Sequence, residues 1–129
     1  MKINSGTLIN RYNGKPVMIE QEVYLQENGQ PVILNGQPHL TNGRPMTVGD
    51  VIATILSTKK VDQFNVLKAD VLARRFYRAD FVDLDEADLT SLLEVIDQND
   101  QFVPFVLAYA KRALLDARAC QEKPQRSRK

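Results

Sequence analysis

The phrase Asn-Gly-x-Pro occurs four times in this chain: Asn13-Gly14-Lys15-Pro16, Asn28-Gly29-Gln30-Pro31, Asn35-Gly36-Gln37-Pro38 and Asn42-Gly43-Arg44-Pro45. The last three stand at a constant seven-residue step. Asn-Gly accepts positive φ at both central positions of a turn and is the strongest short-range hairpin signal. A proline two residues later fixes its own φ and removes a ladder donor, so each returning strand pairs on one side only or stays short. Five of the six glycines and four of the six prolines fall within residues 1–46. That stretch therefore reads as tight turns joining short strands.

The strand candidates are brief. Thr7–Tyr12 can pair with Val17–Ile19 across Asn13-Gly14, at the head of a β-rich run that ends at Leu25. Val32-Ile33-Leu34 and His39-Leu40-Thr41 span about three residues each, too few to be stable unless a helix layer or another chain covers them. The seven-residue step does not make a solenoid, because three mostly polar heptads offer too little apolar surface to stack.

Thr47 marks the change to helix. Thr47-Val48-Gly49-Asp50 has the form of a capping box, with Asp replacing the usual Glu. It predicts a first helix over about 48–58 with Val48, Val51, Ile52, Ile55 and Leu56 on one stripe. Asp62 is the expected cap of a second helix over about 63–79, which would bury Phe64, Leu67, Val71, Leu72 and Phe76 or Tyr77. Phe81-Val82 reads as an extended connector. Asp85, with Asp88 three residues on and Leu84 and Leu89 placed as a hydrophobic staple, predicts a third helix over about 86–98 that buries Leu89, Leu92, Leu93 and Ile96. Pro104 suits a first turn and opens a fourth helix to about 119. Its expected inward face is Phe105 or Val106, Tyr109, Ala110, Ala113 and Leu114. Residues 120–129 read as a disordered basic tail.

The chemistry-bearing residues are few. His39 is the single histidine and lies among turns. Cys120 is the single cysteine, which rules out an intrachain disulfide and fits a reducing compartment. A nucleophilic thiol needs a base and an electropositive setting, and the sequence offers no second group for it. Ser5, Ser57, Ser91 and Ser127 stand in no nucleophile-elbow context. Counted as calcium loops from Asp83 or Asp97, the acidic clusters lack the glycine and glutamate such loops require, and helix capping accounts for them. One Cys and one His cannot close a zinc site. No glycine pattern matches a phosphate loop. The expectation is no enzyme activity and no cofactor.

A length of 129 residues suits one domain and can bury a core without metal or disulfide. The net charge of +1 argues against a dominant electrostatic partner. No apolar run has the length of a signal or a membrane span, so a cytoplasmic protein without membrane contact is expected. Local basic clusters do occur. Arg74, Arg75 and Arg78 on the second helix, with Arg126, Arg128 and Lys129 in the tail, are the candidate phosphate contacts of a nucleic-acid-binding reading. Acids from Asp70 to Asp100 compete for those arginines.

Four further pieces stand out: Met46-Thr47-Val48-Gly49-Asp50-Val51, Ala73-Arg74-Arg75-Phe76-Tyr77, Val82-Asp83-Leu84-Asp85-Glu86-Ala87-Asp88-Leu89 and Arg112-Ala113-Leu114-Leu115. Through them, residues of about 45–117 resemble a loose class of small tailed-bacteriophage proteins. The resemblance implies a phage origin and host cytoplasm, and it carries no assigned activity or catalytic residues. The four Asn-Gly-x-Pro phrases and the basic tail depart from it.

The sequence thus predicts an α+β protein: a turn-rich β unit over 1–46, a four-helix unit over 47–119 and a tail. The leading functional expectation is a non-catalytic interaction or assembly module that binds a host or virion protein and forms a homo-oligomer. Its candidate contacts are Val32, Ile33, Leu34 and Leu40, on strands that leave edges open for pairing. The alternatives are nucleic-acid binding and capture of a small ligand, such as a nucleotide, at an oligomer interface.

Overall fold

A computed structural model describes the backbone of residues 1–40 and 43–127 and the side chains as far as Cys120. The fold is α+β. Its elements are β1 (Lys2–Ile3), β2 (Met18–Ile19), β3 (Ile33–Leu34), β4 (Gln37–Pro38), β5 (Arg44–Pro45), α1 (Val48–Thr58), α2 (Val66–Phe76), β6 (Val82–Asp83), α3 (Glu86–Gln98) and α4 (Pro104–Ser127). They form two compact units. One contains residues 1–9 and the chain from Thr47 onward, and the other spans Asn10–Met46.

The helical unit is built on good caps. Asp50 N–H donates to Thr47 Oγ1 at 3.3 Å, and Thr47 N–H donates back to Asp50 Oδ2 at 2.9 Å, which completes the capping box of α1. Val48, Val51, Ile52, Ile55 and Leu56 are buried as the stripe requires. At α3, Asp88 N–H donates to Asp85 Oδ1 at 2.8 Å. Leu84, Leu89, Leu92 and Ile96 are buried, while Val95 takes the inward place expected of Leu93.

Three expectations change. First, α2 is shorter than expected. Asn65, not Asp62, caps it by accepting from Lys68 N–H at 2.8 Å. It stops at Phe76 because Tyr77 is extended and Arg78 takes φ of 56°, outside the helical region. Its inward face is Ala69, Leu72, Ala73 and Phe76, so Leu67 (79% exposed) and Val71 (52%) face outward. The two alanines share a face with Leu72 and Phe76 and permit a close approach to α1, which a stripe of Leu67 and Val71 would not.

Second, α4 continues to Ser127 and does not end near residue 119, so most of the expected tail is helical. Ala117–Lys123 supplies straight-chain helix formers and no glycine stop. Val106, Ala110, Leu114 and Ala117 make its inward face, with Tyr109 and Ala113 half-buried.

Third, the first nine residues belong with the helices. β1 pairs antiparallel with β6, Ile3 opposite Val82. The Met1 ammonium donates to Leu84 C=O at 2.6 Å, and Leu84 N–H donates to Met1 C=O at 2.8 Å. Ile3, Ser5 and Ile9 are fully buried, and Ser5 Oγ donates to Ala79 C=O at 2.8 Å. Leu8 is the antiparallel bridge partner of Thr47. The chain therefore leaves the helical unit and returns to it at neighbouring points, and Asn10–Met46 is an insertion.

Candidate functional site

The inserted ribbon shows what one tetrapeptide phrase does in different settings. At Asn13-Gly14, Gly14 N–H donates to Arg11 C=O and Arg11 N–H donates to Lys15 C=O, both at 2.8 Å. Gly14 takes φ of 85° and Asn13 Oδ1 accepts from Lys15 N–H. This is a turn followed by a glycine bulge. Asn28-Gly29 repeats it between Gln26 and Gln30. At Asn35-Gly36 both residues have positive φ, 52° and 80°, and the turn is the two-residue type that joins β3 directly to β4. Gly43 follows Asn42, which lies outside the described residues, and leads into β5, which pairs with β2 and not with a neighbour in sequence. β2 thus takes Arg44–Pro45 as partner in place of the expected Thr7–Tyr12 segment, of which Asn10 bridges across the turn to Pro16.

The centre of the ribbon is a closed ring of backbone hydrogen bonds. Tyr24 N–H donates to His39 C=O at 2.9 Å, His39 N–H to Val32 C=O at 2.8 Å and Val32 N–H to Tyr24 C=O at 2.8 Å. Three strand segments meet there, and each uses one donor and one acceptor on the other two. The open edge expected of this stretch is absent at the ring, so strand addition by a partner is not favoured at that level. The Tyr24 and His39 rings stack with centroids 4.7 Å apart.

Alternation sorts the side chains. The bridge pairs Val23–Leu40, Leu25–Pro31 and Ile33–Pro38 fall on one side of the ring residues. Val23, Leu25, Ile33 and Leu40 thereby share an apolar face with Pro31 and Pro38, opposite Tyr24, Val32 and His39. Leu25 is 65% exposed, and Ile33 and Leu40 are about half-exposed. No described residue of Asn10–Met46 is buried. Of the four residues expected at the contact, Ile33 and Leu40 lie on this face, whereas Val32 and Leu34 alternate to the other side; Leu34 is exposed and Val32 half-buried. Val23 and Leu25 complete the face. Their alternation across Tyr24 is the signal that would have found them.

Arg74 and Arg75 of α2 and Arg78, which lies beyond the end of α2, each have a different partner. Arg74 Nε donates to Asp70 Oδ2 at 2.9 Å, and that hydrogen bond, with the attraction of the carboxylate, raises the guanidinium pKa further above its ordinary value. Arg75 donates to Asp83 C=O. The Arg78 guanidinium lies 5.5 Å from the centroid of the Tyr77 ring. Arg128 and Lys129, and the side chain of Arg126, lie outside the described residues. The helical unit also has a shallow groove of about 460 Å³ lined by Lys2, Asn4, Thr7, Tyr109, Arg112, Asp116 and Cys120. It mixes both charge signs on an apolar floor of Ala113 and Ala117. Among the described residues, no three His, Cys, Asp or Glu side chains gather into a metal-binding group, and no helix is long and apolar enough to cross a membrane.

Comparison with known proteins finds no matching family model, no matching curated protein and no matching solved structure.

Proposed function

We propose that the chain is a non-catalytic binding or assembly protein, and that the inserted ribbon is its contact for a protein partner. The observation that supports this most is an apolar face formed by Val23, Leu25, Ile33 and Leu40 in a unit with no buried residue among those described. Fully burying such a side chain stabilises by about 1.5–3 kcal/mol, and each half-exposed one has a large part of that still to gain. The closed ring at Tyr24, Val32 and His39 presets the strands, which lowers the ordering cost of docking. The resemblance of residues 45–117 to small tailed-phage proteins supports a host or virion protein as the partner.

The test is site-specific photo-crosslinking in bacterial lysate. A photo-reactive residue placed at Leu25, Ile33 or Leu40 should give one discrete adduct. The same probe at Tyr12, a residue 97% exposed in the same unit, should give none. Equal labelling from all four positions, or no adduct from the three, would refute the reading.

A further inference from the structure

α2 carries a second exposed surface, on the helical unit. At 100° per residue, Leu67, Asp70, Val71 and Arg74 of α2 fall within about 100° of one another, opposite the buried Leu72 and Phe76, and Tyr77 follows as the C-cap residue. Leu67, Val71, Val66 and Tyr77 are all more than half exposed. Asp70, Ala73, Arg74 and Tyr77 line a hollow of about 450 Å³ with Ala53 and Ser57 of α1, whose small side chains leave room for a second helix.

The order of side chains along α2 is self-complementary. Counted from the height of Leu72, Leu67 lies five residues before and Tyr77 five after. Asp70 lies two before and Arg74 two after. Val71 sits beside the midpoint. A two-fold axis at that height would run two copies of α2 antiparallel and set Leu67 against the second copy's Tyr77. It would also set Asp70 against the second copy's Arg74, and would bring the two Val71 side chains together. Two-fold pairing requires one patch to fit itself in this way. The Asp70–Arg74 ion pair, which within one chain joins two exposed side chains, becomes half of a four-charge cluster shielded by apolar neighbours, where charge pairing is worth more.

We infer that the outward face of α2 is the docking site for a second copy of this chain, in an isologous antiparallel pair. This surface would make the protein a dimer whether or not the ribbon binds anything.

Analytical ultracentrifugation of the full chain and of Asp70→Arg and Arg74→Asp tests it, with circular dichroism melts to confirm folding of the exposed-site variants. The wild type should be a dimer at micromolar to tens-of-micromolar concentration. Asp70→Arg sets two arginines against each other across the axis, and Arg74→Asp sets two aspartates against each other, so each variant alone should dimerise at least about tenfold more weakly. In an equimolar mixture, both positively charged sites of the Asp70→Arg chain meet negatively charged sites of the Arg74→Asp chain. The mixture should therefore recover the wild-type dimer fraction as a heterodimer. Leu67→Glu should weaken the wild-type dimer without rescue by either variant. A wild type that stays monomeric overturns the inference. So does a dimer unaffected by the single substitutions, or a mixture no better than its parts.

Discussion

Gly49 in the first turn of α1 lies directly against the carbonyl oxygen of Phe76 at the end of α2. A β-carbon at position 49 would overlap that oxygen and crowd Ser5, whose carbonyl accepts from Gly49 N–H at 2.8 Å. This approach seats α1 on α2 and on the amino-terminal segment at once. Gly49→Ala should therefore destabilise the chain by about 1–3 kcal/mol, despite the better helix propensity of alanine. A chemical-denaturation midpoint equal to the wild type would refute the packing argument.

The reciprocal cap at Thr47 and Asp50 gives a second prediction. Thr47→Ala removes the side-chain acceptor for Asp50 N–H and should lower stability by about 1 kcal/mol, while Thr47→Ser keeps the oxygen and should recover most of it. Denaturation of both variants checks this, and equal loss in both would point to the threonine methyl and not to the cap.

Two glycines of the repeated phrase should respond differently. Gly36 has φ of 80° and open space around it, so Gly36→Ala incurs only the left-handed backbone cost, about 1–2 kcal/mol. Gly43 has φ of 67°, and a β-carbon there would also run into Ile19 C=O and the Gln21 side chain. Gly43→Ala should loosen the ribbon more. Amide exchange at Tyr24, Val32 and His39 reports it; faster exchange in Gly36→Ala than in Gly43→Ala would reverse the ranking.

Lys59, the residue that ends α1, pairs with Asp100 just after α3. The hydrogen bond from the ammonium, followed by its charge, holds the Asp100 carboxyl below the ordinary carboxylate range. A carboxyl whose folded pKa is depressed contributes stability above its unfolded pKa, and that contribution is lost as pH falls through the folded value. The pair is exposed, so added salt should weaken it. An NMR titration should place the Asp100 midpoint below that of an unfolded peptide, and Lys59→Met should return it upward. An unchanged midpoint in Lys59→Met would dismiss the pair as its cause.

Local signals in the sequence are legible where a short stretch settles the outcome. Thr47 with Asp50 and Asp85 with Asp88 mark the starts of α1 and α3, and the Asn-Gly dipeptides mark turns. What cannot be read depends on distant partners. Nothing near Lys2-Ile3 announces Val82-Asp83, some eighty residues away, as its strand mate. In α2 two apolar faces compete at helical spacing, and Ala69 and Ala73 decide between them only once α1 is present to be approached. The ribbon face is half legible. Apolar content points to Ile33 and Leu40, but the side each residue takes follows from the Tyr24–Val32–His39 ring, which joins three segments that no single pattern links.

A bridge pair such as Leu8 and Thr47 stands about 5 Å apart at the Cα atoms, a gap that a tight two-residue connector closes. Residues 10–46 therefore leave and rejoin the chain of the helical unit at adjacent backbone positions. A chain in which such a connector replaces residues 10–46 should still bury Ile3 and Ile9 against the helices, and a cooperative thermal melt of that chain checks it.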